Sequence, residues 1–136
     1  MFTEISPAHR SNHPLHGPLY RLEPYAVAAD VYTEAPYTGQ GGWSWTTGSA
    51  AWLHRAALGS ILGLQREGSR VRFSPCLPPH WPEAMVVIRQ GGQRYRFHLL
   101  AHGLAPQGAK ELQLGTWLDL ALERGGGWCV RTPARA

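Results

Sequence analysis

The chain has 136 residues, a formal net charge of +4, 43% hydrophobic and 16% charged residues. That balance excludes a disordered chain, and the length allows one modest domain or two small halves sharing a core. Sixteen glycines, eleven prolines and six tryptophans argue for turns, tight loops and aromatic surfaces and against a plain helical bundle. The positive charge does not make a nucleic-acid footprint. Arg66, Arg70, Arg72, Arg89, Arg94 and Arg96 are spread over predicted strands and turns, and Lys110 is the one lysine. They read as a solvated sheet face. No stretch approaches the roughly 18 apolar residues of a membrane span, and the N-terminus has no apolar run of the signal-peptide kind. The expectation is a soluble, cytoplasmic chain. Cys76 and Cys129 make neither a CxxC pair nor a framework, and nothing in the sequence demands a bridge between them.

Residues 1–19 hold Pro7, Pro14, Gly17 and Pro18 and predict an irregular entry segment. His9, His13 and His16 would share one face of a helix. The prolines argue against that helix, and no Cys or carboxylate lies near at ligand spacing, so no metal site is expected. Tyr20 to Tyr32 is the first helix candidate, with Pro24 suited to N1 and Tyr25, Ala28, Ala29 and Tyr32 at i, i+3, i+4 and i+7. Thr33 to Gly42 is a loop.

The stretch Gly41-Gly42-Trp43-Ser44-Trp45-Thr46-Thr47-Gly48-Ser49-Ala50-Ala51-Trp52 comes next. Its two glycines permit a sharp turn and the close approach of a ligand. Thr47 or Ser49 can cap a helix running from about Ser49 to Leu62, with Gly63 as its left-handed C′ residue. Free N–H groups at such a helix start, beside hydroxyls and a glycine, suit an anion such as phosphate. Trp43 and Trp45 offer flat walls on which a sugar ring stacks. A capped helix with core tryptophans explains the same residues.

Beyond Gly63 the period changes to alternation. Val71 and Phe73 face one way and Arg70 and Arg72 the other. Pro75, Pro78, Pro79 and Pro82 enforce an extended crossing around Trp81. Ala84 to Gln90 and Gln93 to Leu100 form two strands joined at Gly91-Gly92. Leu112 to Leu122 fits neither period well, and Trp128-Cys129-Val130 makes a short last strand.

Three segments together resemble one family. Tyr20 to Tyr32 (YRLEPYAVAADVY) is similar to a block near the C-terminus of the family 94 glycoside hydrolases. The Gly-Gly-Trp stretch is similar to that family's Trp-x-Thr-Gly-Ser/Thr-Ala block. Ile61-Leu62-Gly63-Leu64, then Pro75-Cys76-Leu77-Pro78 and Trp81, resemble the blocks that follow there. Order and spacing agree over roughly residues 5 to 100. The Ala-Ala-Asp-Val-Tyr and Gly-Gly-Trp-x-Trp wording is similar above all to the phosphorylase-like region of cyclic β-1,2-glucan synthases. Cellobiose and chitobiose phosphorylases are further relatives, and often carry glutamine where this chain has Ala29.

The resemblance implies an α+β chain. Residues 1–65 would be the last helices of an (α/α)6 barrel, and residues 66–136 a small antiparallel β-sandwich-like domain. It places a phosphate-binding Thr-Gly on Thr47 and Gly48. The family's general acid, and its phosphate-binding arginine and histidine, are expected upstream, so no residue here is assigned to catalysis. Glu23, Asp30 and Glu34 are the nearest carboxylates to the motif. Of these, Glu23 is the best candidate for a sugar contact, beside Trp43 and Trp45. The implied partners are a β-glucan or oligosaccharide, inorganic phosphate as co-substrate with no other cofactor, and the missing barrel portion as a separate chain. Three functions compete: a C-terminal part of such an enzyme, inactive alone; a carbohydrate-binding module without catalysis; and a subunit completing a barrel supplied by another polypeptide.

Overall fold

A computed structural model describes residues 5–44 and 47–133, apart from the side chain of Thr47. Trp45 and Thr46 therefore lie outside the described residues. The chain forms two compact units, Met1–His54 and Arg55–Ala136.

The first unit contains α1 (Pro7–Ser11), α2 (Gly17–Tyr20), β1 (Asp30–Val31) and β2 (Gly41–Gly42). The entry segment is thus partly helical where irregular chain was expected. Pro7 and Pro18 open helices rather than break them, each lying in the first two positions of its helix, where the missing N–H costs nothing, and Pro14 sits in the turn between. The predicted helix over Tyr20–Tyr32 does not form. Arg21 takes a left-handed φ of 57° and caps α2, so the helix stops where the candidate begins. Asp30 and Val31 pair instead with Gly42 and Gly41 in an antiparallel ladder. Tyr25 is left 74% exposed, so the spacing of Tyr25, Ala28, Ala29 and Tyr32 marks no buried face. Tyr20, 2% exposed, is the buried anchor of this unit.

The helix expected from Ser49 starts earlier, as α3 (Thr47–Ala56), and continues as a π-helical turn over Ala57–Ile61. Leu62 N–H donates to the Ala57 carbonyl at 2.9 Å, and Gly63 follows with φ +64°. A Cβ on Gly59 would meet open space among the described residues, so this glycine answers to no close contact.

In the second unit, β3 (Leu64–Glu67), β4 (Arg70–Phe73) and β8 (Leu118–Asp119) form a three-stranded antiparallel sheet in the order β3-β4-β8. The other sheet orders β5-β6-β9-β7, from β5 (Glu83–Gln90), β6 (Gln93–Leu100), β9 (Gly126–Arg131) and β7 (Lys110–Glu111). The hairpin of β5 and β6 turns on Gly91 and Gly92, both at positive φ, as a type I′ turn requires. The domain is not purely antiparallel. β9 runs parallel to β6, and β7 parallel to β9. Residues 101–125 supply the long connection that a parallel neighbour needs.

Alternation decides what is buried. Val71, Phe73, Tyr95, Phe97, Leu99 and Val130 are all 2% exposed or less. The two sheets meet where Phe73 and Phe97 pack with ring centroids 4.6 Å apart, and Trp128 stacks on Phe97 at 5.2 Å. Tyr95 satisfies its buried hydroxyl by donating to the Leu120 carbonyl at 2.8 Å. The irregular Leu112–Leu122 stretch contributes Leu112 and Leu120 to this core. Cys129 is buried, and burial pushes its thiol up.

The arginines on the outer face of β4 are not simply solvated: Arg72 and Arg70 lie 4.6 and 5.5 Å from the ring centre of Trp117. Asp119 closes the same edge. A hydrogen bond from Ser69, the Ala121 N–H at 3.0 Å and the charge of Arg70 hold its carboxyl below the usual range. A depressed carboxyl stabilises the fold at pH above its unfolded value of about 3.9. That contribution is lost as pH falls through the folded value. Denaturant midpoints should therefore drop more steeply below about pH 4 for the native chain than for Asp119→Asn. Parallel pH profiles would show that the Asp119 bonds do not form.

Candidate ligand-binding site

The Gly-Gly-Trp stretch is built by β2 and the loop before it. The space beside both glycines is filled by the chain itself. A Cβ on Gly41 would lie 3.0 Å from the Tyr20 ring and as close as 2.5 Å to Leu22, while one on Gly42 would run into the Asp30 carboxylate and the Tyr32 hydroxyl. The chain's own side chains thus occupy the Cβ side of both glycines.

Trp43 follows with a φ of 28°, a backbone region that bulky residues rarely occupy. Its carbonyl accepts the Ala29 N–H at 3.0 Å, tying it to the segment before β1, and its side chain is 81% exposed. Thr47 and Gly48 open α3, and Gly48 is exposed. A Cβ on Gly48 meets no described atom, and its φ is not positive. Glu23 is half-buried, and its carbonyl accepts the Ala26 N–H at 3.0 Å in a turn. The described contacts thus join Trp43 to Ala29 and leave Glu23 in a separate turn.

Two recesses in this unit were not anticipated. The first, of about 260 Å³, is bounded by Leu19, Arg21, Pro36, Tyr37, Thr38 and Gln40. Its only sequence signal was an aromatic, Tyr37, set between Pro36 and Gly39 in a loop. The second, of about 200 Å³, is bounded by His9, Arg10, His13 and His16. The His13 and His16 rings lie 4.3 Å apart, and His13 Nδ1 accepts the backbone N–H groups of Leu15 and His16. Among the described residues, no three His, Cys, Asp or Glu side chains are placed to hold a metal ion. None of the described helices is long and apolar enough to cross a membrane.

In class, this is an α+β chain with sheets and few helices, with Trp43 and Trp52 exposed. Residues 1–63 match the sequence model of the Glycosyl hydrolase 94 superfamily, catalytic domain. The chain is 47% identical over 77 residues to cyclic beta-(1,2)-glucan synthase NdvB of Rhizobium meliloti (strain 1021), covering 57% of this chain and 3% of that protein. It is 32% identical over 74 residues to solabiose phosphorylase of Paenibacillus borealis, covering 54% of this chain and 10% of that enzyme. Over 91 residues it is 25% identical to 3-O-beta-D-glucopyranosyl-beta-D-glucuronide phosphorylase of the same organism, covering 65% and 12%. These matches make residues 1–63 similar to the catalytic domain of the glycosyl hydrolase 94 superfamily and support a C-terminal part of such a protein. It spans between 3% and 12% of the length of these relatives.

Proposed function

We propose that this chain is a C-terminal part of a carbohydrate-active enzyme of the glycoside phosphorylase and cyclic β-1,2-glucan synthase type. In this reading it carries Thr47 and Gly48 of the phosphate site and not the general acid. The observation that supports it is the family match over residues 1–63, which takes in the whole Gly41–Trp52 stretch. Residues 1–65 would then complete an (α/α)6 barrel, with residues 66–136 as its appended β domain. The relatives named as phosphorylases support a glycan and phosphate as the ligands.

The chemistry needs more than this chain holds. Phosphate attacks the anomeric carbon with inversion while an acid protonates the leaving glycosidic oxygen. Thr47 and the N–H of Gly48 hold the phosphate through charge-assisted hydrogen bonds, and Glu23, Trp43 and Trp45 contact the sugar. The acid, arginine and histidine come from the remainder of the barrel. If that remainder is a separate chain, its docking surface includes Trp43, Trp52 and Tyr25, which are 81%, 73% and 74% exposed. The exposure of Trp43 also favours a second reading, a binding module without catalysis.

The test is a phosphate titration of the chain reconstituted with the rest of a barrel. Thr47→Val should lower phosphate affinity by about 1.5–3 kcal/mol if the hydroxyl bonds the charged phosphate. Gly48→Ala should leave stability equal or better, because its Cβ meets no described atom. A loss of affinity in that variant therefore reports the ligand. Under the capping reading, Thr47→Val lowers stability by about 1 kcal/mol and leaves phosphate affinity unchanged.

A further inference from the structure

We propose that the recess bounded by Leu19, Arg21, Pro36, Tyr37, Thr38 and Gln40 binds one uncharged hexopyranose residue of a β-linked glucan. The proposal rests on the glycan reading above and names a different contact set from Glu23, Trp43 and Trp45.

Size and chemistry both point to a sugar. At about 260 Å³ the recess falls below the ~300–1,000 Å³ of sites for larger ligands. Tyr37 is 59% exposed, so part of its surface is open to a ring stacking through its C–H face. Leu19 and Pro36 extend the apolar wall. The polar lining mixes hydrogen-bonding types as sugar hydroxyls require. Arg21 only donates, the Gln40 amide donates and accepts, and the Thr38 hydroxyl keeps accepting capacity beside its 3.4 Å contact to the Thr33 carbonyl. One guanidinium, with no second cation and no carboxylate among the described lining residues, matches a neutral ligand better than a phosphate.

The walls are held in place before any ligand arrives. Tyr32 N–H donates to the Gln40 carbonyl at 2.9 Å, and Gly39 N–H to the Tyr32 carbonyl at 2.8 Å. Tyr37 N–H donates to Glu34 at 3.0 Å, and Gln40 N–H to Tyr37 at 2.9 Å. Arg21 stands at φ 57°, a left-handed conformation that is strained for a non-glycine residue. Glycine would avoid that strain but would bring no guanidinium to the recess. A prepaid conformation of this sort is what raises affinity for a small ligand.

The experiment uses the full 136-residue chain, labelled with ¹⁵N and titrated with β-1,2-glucotriose while backbone amide shifts are followed. The amides of Arg21 and residues 37–40 should shift together and saturate on the order of 1–10 mM. Tyr37→Ala should weaken binding roughly threefold to tenfold. Arg21→Gly should weaken it too while keeping the amide dispersion, since glycine adopts this φ without strain. Shifts that map elsewhere and survive Tyr37→Ala would overturn the recess as the site and leave the glycan reading intact. Silence up to tens of millimolar would overturn the recess, with the phosphate titration of the reconstituted barrel deciding the enzyme reading separately. Stronger shifts of these same amides by inorganic phosphate or glucuronate would overturn the neutral-sugar assignment.

Discussion

Gly63→Ala is expected to destabilise the second unit by about 3 kcal/mol or more. Two causes add. At φ +64° an alanine meets the left-handed penalty of about 1–2 kcal/mol. Its Cβ would also overlap the Ser74 carbonyl and come within 2.5 Å of Pro75 N, which is backbone and cannot swing away. Overpacking of this kind adds about 1–3 kcal/mol. The junction resists relaxation, because Ser74 N–H bonds the Gly63 carbonyl at 2.9 Å and Cys76 N–H bonds the Ile61 carbonyl at 2.8 Å. Gly68→Ala separates the two causes. Gly68 has φ +60° with open space around its Cβ, so only the conformational penalty of about 1–2 kcal/mol applies there. Urea midpoints followed by tryptophan fluorescence measure both. Equal losses in the two variants would show that Gly63 and Ser74 do not pack as described.

Rigorously purified chain should give no sugar 1-phosphate from β-1,2-glucooligosaccharides or disaccharides in the presence of phosphate. Acid–base assistance alone is worth about 10²–10⁴-fold, and positioning of the phosphate adds more. In the proposed reading the groups that supply both come from the rest of the barrel. Turnover near 10 s⁻¹, an ordinary enzyme rate, would overturn that reading. Recovery of activity on adding the remainder of a barrel, and its loss in Thr47→Val, would place the phosphate site in this chain.

Local patterns announced the elements whose partners lie close in sequence. The β5–β6 hairpin follows from two alternating runs around Gly91-Gly92, and its register carries Tyr95, Phe97 and Leu99 into the core. Gly63 was legible as a left-handed residue because helix ends favour glycine there. The Tyr20–Tyr32 helix misled for a matching reason. Its spacing counts apolar residues without knowing whether anything covers them, and Tyr25 and Tyr32 remain 74% and 44% exposed. The Tyr37 recess was hidden because it needs Arg21 and Gln40, which lie 19 residues apart.

By itself, then, the sequence determined the likeness of residues 1–63 to family 94 catalytic domains, the presence of a helix behind the Gly-Gly-Trp stretch and which faces of β4 and β6 turn inward. Those follow from residue identity, spacing and period, all of them local. Only the tertiary structure decided that β9 lies parallel between β6 and β7, because period two says which face is buried but not which neighbour or direction a strand takes. It also decided that the Cβ side of Gly41 and Gly42 is filled by Leu22, Tyr20, Asp30 and Tyr32. A glycine in the sequence marks where a backbone comes close to something; only packing shows what that something is.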